Sequence, residues 1–81
     1  DTGKLVQSLT ELQRLNDLEV FTRNAHSIKS SAANLGALRL SSIAADIEID
    51  GKSGDISGTT DLINILLEEF DSACIELNTF N

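Results

Sequence analysis

His26 is the only histidine of the 81-residue chain, and it lies in a segment whose apolar residues repeat at helical spacing. The apolar residues that recur at steps of four and three are Phe21, Ala25, Ile28, Ala32 and Leu35. Because a helix advances by about 100° per residue, these residues define one buried face, and His26 points away from it. The unperturbed pKa of histidine is about 6.5, so a neutral imidazole exposed in this way is available near neutral pH as a nucleophile.

The residues that share the His26 side of this helix are small or cationic. They are Thr22, Arg23, Lys29, Ser30 and Ala33. Arg23 and Lys29 stand one turn before and one turn after His26, and side chains at this spacing are neighbours on a helix surface. An exposed imidazole with two cations and little bulk beside it would suit a nucleophile that accepts a phosphoryl group from a partner protein. Both cations are placed to offset the charge of such a group on His26. We expect a partner protein to dock against the small residues and Arg23. The alternatives are that Arg23 and Lys29 are ordinary solvated side chains and that His26 is an incidental surface histidine.

The segment around His26 resembles the signature of histidine-phosphotransfer (HPt) domains of bacterial and fungal phosphorelays. That signature reads roughly Ala-His-x-Leu-Lys-Gly-Ser-(Ala/Ser)-x-Asn-(Leu/Ile)-Gly-Ala, with an apolar residue and glutamate further along the chain. The matching residues are Ala25, His26, Ile28, Lys29, Ser31, Asn34, Leu35, Gly36, Ala37, Ile47 and Glu48. One position departs, because Ser30 stands where the family usually has a glycine that leaves room for an incoming active site. The hydroxyl of Ser30 is placed to hydrogen-bond the imidazole.

The resemblance implies a function for the histidine and the lysine. His26 would be the phospho-acceptor, taking a phosphoryl group on Nε2 from a receiver-domain aspartate and passing it to another receiver, with Lys29 stabilising the phosphoryl charge. Glu48 is interpreted as a polar or capping contact and not as an acid or base.

The resemblance also implies partners and a context. The partners are response-regulator receiver domains, any magnesium of the reaction belongs to the receiver, and the isolated domain is a monomer. Such domains often form the C-terminal module of hybrid sensor histidine kinases. The absence of methionine and the opening Asp1-Thr2-Gly3 favour such a longer parent. We expect the domain to lie in the cytoplasm as part of a kinase anchored in the inner membrane.

Composition excludes several functional classes. Thirteen acidic against six basic residues give a net charge of −7, which disfavours binding to nucleic acid and direct contact with a membrane surface. No apolar run reaches the roughly 18 residues of a membrane-spanning helix. No cluster of metal-ligating residues and no phosphate-cradling Gly-rich loop occurs, which predicts no metal, no cofactor and no ATP site. The chain is therefore expected to be a phosphoryl carrier and not an enzyme. Its single cysteine, Cys74, cannot form an internal disulfide and is interpreted as a core residue.

The remaining pattern predicts the elements that hold the site. Helices are expected at about residues 3–15, 17–35, 38–50 and 58–80. Asn16 with Glu19 has the form of an N-cap with its capping partner, and Gly36 and Gly51 are expected to end the second and third helices. Residues 50–55 form the one clear loop. Because the connections are short, sequential helices must pack as antiparallel neighbours. The sequence thus predicts one all-α domain over residues 1–81, an antiparallel up-down-up-down four-helix bundle.

Three interpretations stay open at this point. The leading one is the phosphorelay carrier. The second is an HPt-like module that binds a receiver without passing phosphate, which Ser30 keeps open, and the third is a purely structural bundle. A second apolar stripe on the third helix, formed by Leu38, Ala45 and Ile49, is either buried between two neighbouring helices or extends a docking surface beside His26.

Overall fold

The computed structural model describes residues 2–77, with side chains through Ala73, as four α-helices joined by short connections. The helices are α1 (Thr2–Leu15), α2 (Leu18–Asn34), α3 (Leu38–Ser53) and α4 (Thr60–Leu77). In the described part of the chain the contacting helix pairs are α1–α2, α2–α3, α3–α4 and α1–α4, with no diagonal pair. This closed ring confirms the predicted all-α four-helix bundle. The predicted end of the last helix at residue 80 and the predicted core position of Cys74 lie outside the described residues.

The described helices enclose one apolar core. Its fully buried members are Val6, Leu9, Phe21, Ala25, Ile28, Ala32, Leu40, Ala44, Ile47, Ile56, Ile63 and Leu66. Four of the five apolar positions expected on α2 are among them, so the helix face opposite His26 is fixed against the core. Leu35 was expected on the same face and is instead 46% exposed, because it is the C-cap of α2 and follows the last helical residue.

The connection between α1 and α2 differs from the predicted cap. Asn16 has a positive φ of 55°, and the N–H of Asp17 donates to the carbonyl of Leu12 at 3.1 Å, so both residues complete the end of α1. Asp17 is the N-cap of α2, and its carboxylate accepts a hydrogen bond from the N–H of Val20. The prediction of Asn16 as N-cap is therefore wrong. Asparagine is one of the few residues other than glycine that tolerates a positive φ, which suits it to end a helix.

The connection between α2 and α3 follows the prediction. Gly36 has a φ of 80°, and the N–H of Ala37 donates to the carbonyl of Ala32 at 2.9 Å. This is the left-handed ending that glycine provides most readily.

Gly51 does not end α3. The helix continues to Ser53 and ends at Gly54, which has a φ of 88°, so the connection to α4 spans residues 54–59. Gly51 is buried, and a Cβ atom built on it would lie 2.2 Å from Oγ1 of Thr22 on α2. The glycine therefore permits a close approach of α2 and α3. The expected loop at 50–55 is wrong for its first four residues.

Polar side chains hold the connection between α3 and α4 in place. Nε2 of Gln13 on α1 donates to the carbonyl of Ile56 at 2.8 Å and to Oγ1 of Thr60 at 3.0 Å. The hydroxyl of the buried Thr59 donates to Oδ2 of Asp50 at 3.2 Å. α4 begins two residues later than expected, at Thr60.

None of the four described helices combines the length and the apolarity needed to span a membrane.

Candidate functional site

His26 lies in the middle of α2 with its ring directed to solvent. Ala25 and Ile28 are fully buried, so α2 cannot rotate to bury His26 without exposing them. The His26 side chain is 57% exposed, and its Nδ1 atom lies 2.9 Å from Oε2 of Glu48 on α3. The imidazole is therefore fixed at one nitrogen by α3 and open at the other.

Glu48 is a buried carboxylate between α2 and α3. Its side chain is only 7% exposed, and its Oε1 accepts a hydrogen bond of 2.7 Å from Nζ of Lys29. Nζ of Lys52 lies 3.5 Å from Oε2, the same oxygen that contacts His26. The hydrogen bond from Lys29 is the largest cause that lowers the pKa of Glu48. Burial raises this pKa, whereas the hydrogen bond with His26 and the charges of Lys29 and Lys52 lower it further. The resulting pKa of about 2 keeps Glu48 ionised at neutral pH.

The ionised Glu48 decides which nitrogen of His26 carries the proton. A carboxylate without a proton only accepts hydrogen bonds, so the proton of the neutral ring must lie on Nδ1. Nε2 then holds the free lone pair. Among the described residues no side chain is hydrogen-bonded to Nε2, and the ring is more than half exposed. The arrangement can therefore present a nucleophilic nitrogen to a molecule approaching from solvent.

The structure places Lys29 beside His26 through Glu48. Its ammonium is held by Oε1 of the carboxylate while its side chain remains 34% exposed. The spacing of the two residues along α2 predicted that they are neighbours, but the carboxylate that links them comes from another helix.

The four predicted docking residues are distributed over the same side of α2. Arg23, Ser30 and Ala33 are exposed, whereas Thr22 is half-buried and packs against Gly51. Within the described chain the hydroxyl of Ser30 makes no hydrogen bond with the imidazole. Ser30 thus stays an exposed small residue one turn from His26.

The second apolar stripe on α3 faces solvent. Leu38 is 71% exposed and Ile49 is 62% exposed, while Ala45 is half-buried. The interpretation that this stripe is buried between two neighbouring helices is therefore wrong for Leu38 and Ile49. α3 contacts only α2 and α4, and one side of it remains open. Ile49 follows Glu48 directly, so the open side of α3 borders the His26 cluster.

Sequence reasoning missed two residues of the cluster. Glu48 belongs to the family signature, but the sequence predicts for it only a polar or capping contact and not the contact with His26. The predicted loop at residues 50–55 includes Lys52, because the pattern predicts that Gly51 ends α3. A local signal was present for the Glu48–Lys52 pair, since glutamate followed four residues later by lysine is the favoured ion-pair order on a helix. The contact of Glu48 with His26 joins two helices and has no such local signal.

The residues that the structure describes include no group of three or more His, Cys, Asp or Glu side chains arranged to hold a metal ion. The contacts described above join an imidazole, a carboxylate and two ammonium groups from α2 and α3.

One comparison with known proteins identifies a relationship. A family model described as Hpt domain matches residues 1–77, which include all four helices and every residue of the His26 cluster. No curated protein and no solved structure matches the chain significantly.

Proposed function

Because the chain belongs to the Hpt domain family, we propose that it is a phosphorelay carrier in which His26 is the phosphorylated residue. Domains of this family take part in histidine phosphotransfer and interact with response-regulator receiver domains. The observation that carries the assignment is the hydrogen bond between Nδ1 and Glu48, because it leaves Nε2 unprotonated on an exposed ring.

The proposed step transfers a phosphoryl group from an aspartyl phosphate of a receiver domain. The Nε2 lone pair forms a bond to phosphorus as the bond between phosphorus and the aspartyl oxygen breaks, and that electron pair returns to the receiver carboxylate. The Nδ1 proton stays on the ring, so the phosphorylated imidazole is a cation. Glu48 offsets this charge at 2.9 Å. In the onward step a second aspartate attacks phosphorus, and His26 leaves as the neutral ring it was before.

Lys29 has a second role in this proposal. An ammonium group has three donors, and one of them is used on Oε1 of Glu48. The remaining donors are available to the oxygens of a phosphoryl group on His26. Lys29 thus fixes the carboxylate and offsets phosphoryl charge at the same time.

We propose that the receiver docks on the open sides of α2 and α3. Ser30 and Ala33 are small and exposed, so they leave room beside Nε2, and Arg23 adds a cation to the same side. Thr22 contributes to this surface only in part because it packs against Gly51. The exposed Leu38 and Ile49 extend the surface along α3, where their apolar area is available for burial against a partner.

The wider context rests on the resemblance. We propose that this chain carries no cofactor or ATP site of its own, that the receiver supplies any magnesium, and that the isolated domain is a monomer. The domain would act in the cytoplasm as a module of a hybrid sensor histidine kinase.

The test is to mix the domain with a receiver phosphorylated on aspartate and to follow phosphorus NMR. We expect an acid-labile phosphoramidate signal that is absent from His26→Gln. Amide chemical shifts recorded in the same titration should move on the open sides of α2 and α3. Binding without a phosphoramidate signal would replace the carrier with a docking-only module, whereas an unchanged signal in His26→Gln would remove His26 as the acceptor.

A further inference from the structure

We propose that Lys52 is a second phosphoryl-binding cation beside His26. This inference deepens the proposed function and rests on it. It adds to Lys29 a lysine from α3, so that the phosphoryl group on Nε2 is held by cations from both helices.

The position of Lys52 follows from the close packing of α2 and α3. Gly51 presents no side chain to Thr22, and α3 continues past this contact to Ser53. Lys52 therefore lies on the last turn of α3 and not in a loop. The turn places its Nζ atom 3.5 Å from Oε2 of Glu48, and the same oxygen contacts Nδ1 of His26 at 2.9 Å. The ammonium group and the imidazole are thus gathered at one carboxylate oxygen.

The two lysines of the cluster are held differently. Nζ of Lys29 makes a short hydrogen bond of 2.7 Å to Glu48, and its side chain is 34% exposed. Nζ of Lys52 lies at 3.5 Å, beyond the usual range of about 2.7–3.2 Å for an N–H···O hydrogen bond, and its side chain is 67% exposed. Lys52 can therefore leave Glu48 without losing a hydrogen bond and without exposing buried surface.

Phosphorylation changes the charges in a way that favours this movement. Before phosphorylation the single carboxylate of Glu48 contacts both lysines. A phosphoryl group at Nε2 turns the ring into a cation that pairs with Glu48 and adds about −1.5 to −2 charge on the solvent side. The ammonium of Lys52 then gains a stronger anion than the one it leaves. Lys29 stays on Oε1 and keeps Glu48 in place.

The test measures the phosphoryl group itself. The domain is phosphorylated by a phospho-receiver, and the pH dependence of its phosphorus chemical shift gives the second pKa of the phosphoryl group. A nearby cation favours the dianion, so we expect Lys52→Gln to raise this pKa by roughly half a unit. Lys52→Arg keeps the charge and should leave the pKa of the phosphoryl group close to its value in the phosphorylated chain without substitutions. The control is Arg14→Gln, which removes one exposed cation paired with Glu11 on α1 and should change nothing.

The outcomes separate this inference from the function on which it rests. An equal pKa in the unmodified chain and in Lys52→Gln overturns the role of Lys52 and leaves His26 as the acceptor. Equal shifts in Lys52→Gln and Lys52→Arg overturn it as well, since charge would then not be the cause. If Lys52→Gln fails to become phosphorylated while Lys52→Arg succeeds, the result supports a cation at this position. If the chain without substitutions gives no phosphoryl signal, the proposed function itself is overturned.

Discussion

Glu48 connects the chemistry of His26 to the packing of two helices. The carboxylate is buried, ionised and held by Lys29, so the proton of the neutral imidazole is directed to Nδ1. A side chain that fixes a tautomer in this way acts through the histidine and touches no substrate. In metal sites, the loss of a side chain that orients a histidine in this way typically lowers metal affinity or activity by about 10–100-fold.

We therefore expect Glu48→Ala to slow phosphoryl transfer to His26 by about 10–100-fold, because the ring loses both its orientation and its preferred tautomer. Glu48→Gln should have a smaller effect, since the amide oxygen can still accept from Nδ1. The measurements are the initial rate of transfer from a phospho-receiver and the nitrogen chemical shifts of the neutral imidazole. The shifts should indicate protonated Nδ1 in the unmodified chain and a mixture in Glu48→Ala. A slower rate with an unchanged tautomer would contradict the role of Glu48 in fixing the tautomer and would leave its charge next to the imidazole as the remaining explanation.

Among the elements, the contact between α2 and α3 matters most for the site. The two helices supply all of its side chains, and they approach closely where Gly51 meets Thr22. Rotating the Thr22 side chain would remove the overlap with Oγ1, but a Cβ atom at Gly51 would still lie 3.1 Å from Cβ and 3.3 Å from the backbone Cα of Thr22, so the two helices would have to move apart by a few tenths of an ångström. Any separation of the helices here also displaces Glu48, one turn earlier on α3, from His26.

Gly51→Ala should therefore destabilise the domain by about 1–3 kcal/mol in spite of the better helix propensity of alanine. The matched control is Gly58→Ala, since a Cβ there meets nothing within 4 Å. The measurement is the free energy of unfolding in urea. Thr22→Ala should recover part of the loss in the double variant, which a double-mutant cycle measures. Equal effects of Gly51→Ala and Gly58→Ala would contradict close packing at this point.

Helix ends show how far the sequence predicts this fold. The four helices follow from apolar residues at helical spacing, and Gly36 ends α2 as expected because the local chain demands a positive φ there. Gly51 is also a glycine, but its role is to allow a close approach to Thr22 in another helix. The sequence around Gly51 does not indicate that contact. Asn16 was misplaced because it can either end one helix or begin the next.

The candidate site likewise combines contacts that local sequence predicts with contacts that depend on a second helix. His26 and Lys29 lie on one helix, so their spacing along the sequence predicts that they are neighbours. Glu48 joins them from α3, and its contacts depend on the register between two helices. A signature can contain such a residue without revealing what it contacts.

At the scale of the whole molecule, the distribution of charge is uneven. The chain has a net charge of −7, but Arg23, Lys29 and Lys52 supply three of its six basic residues to one side of the α2–α3 pair. Glu48 is the buried anion among them. Lowering the pH should therefore act in two opposite ways, because it relieves repulsion between exposed carboxylates but removes the charge of Glu48.

The contribution of Glu48 to stability has a defined sign and pH range. Its pKa is lowered in the folded chain from 4.5 to about 2, so its stabilising effect is fully present above pH 4.5 and is lost as the pH falls toward 2. The shift corresponds to an effect on the order of 3 kcal/mol. We expect the unmodified chain to lose this much more stability than Glu48→Gln between neutral pH and about pH 2.

The measurement is urea unfolding of both chains over this pH range, because the repulsion between exposed carboxylates is common to both and cancels in the difference. Glu11→Gln is the control. The pKa of Glu11 is also lowered, chiefly by its hydrogen bond with Arg14, but this side chain is exposed. Solvent screening should make its pH-dependent difference from the unmodified chain much smaller. A difference between the unmodified chain and Glu48→Gln that stays constant with pH would mean that Glu48 is not held as an ion between α2 and α3.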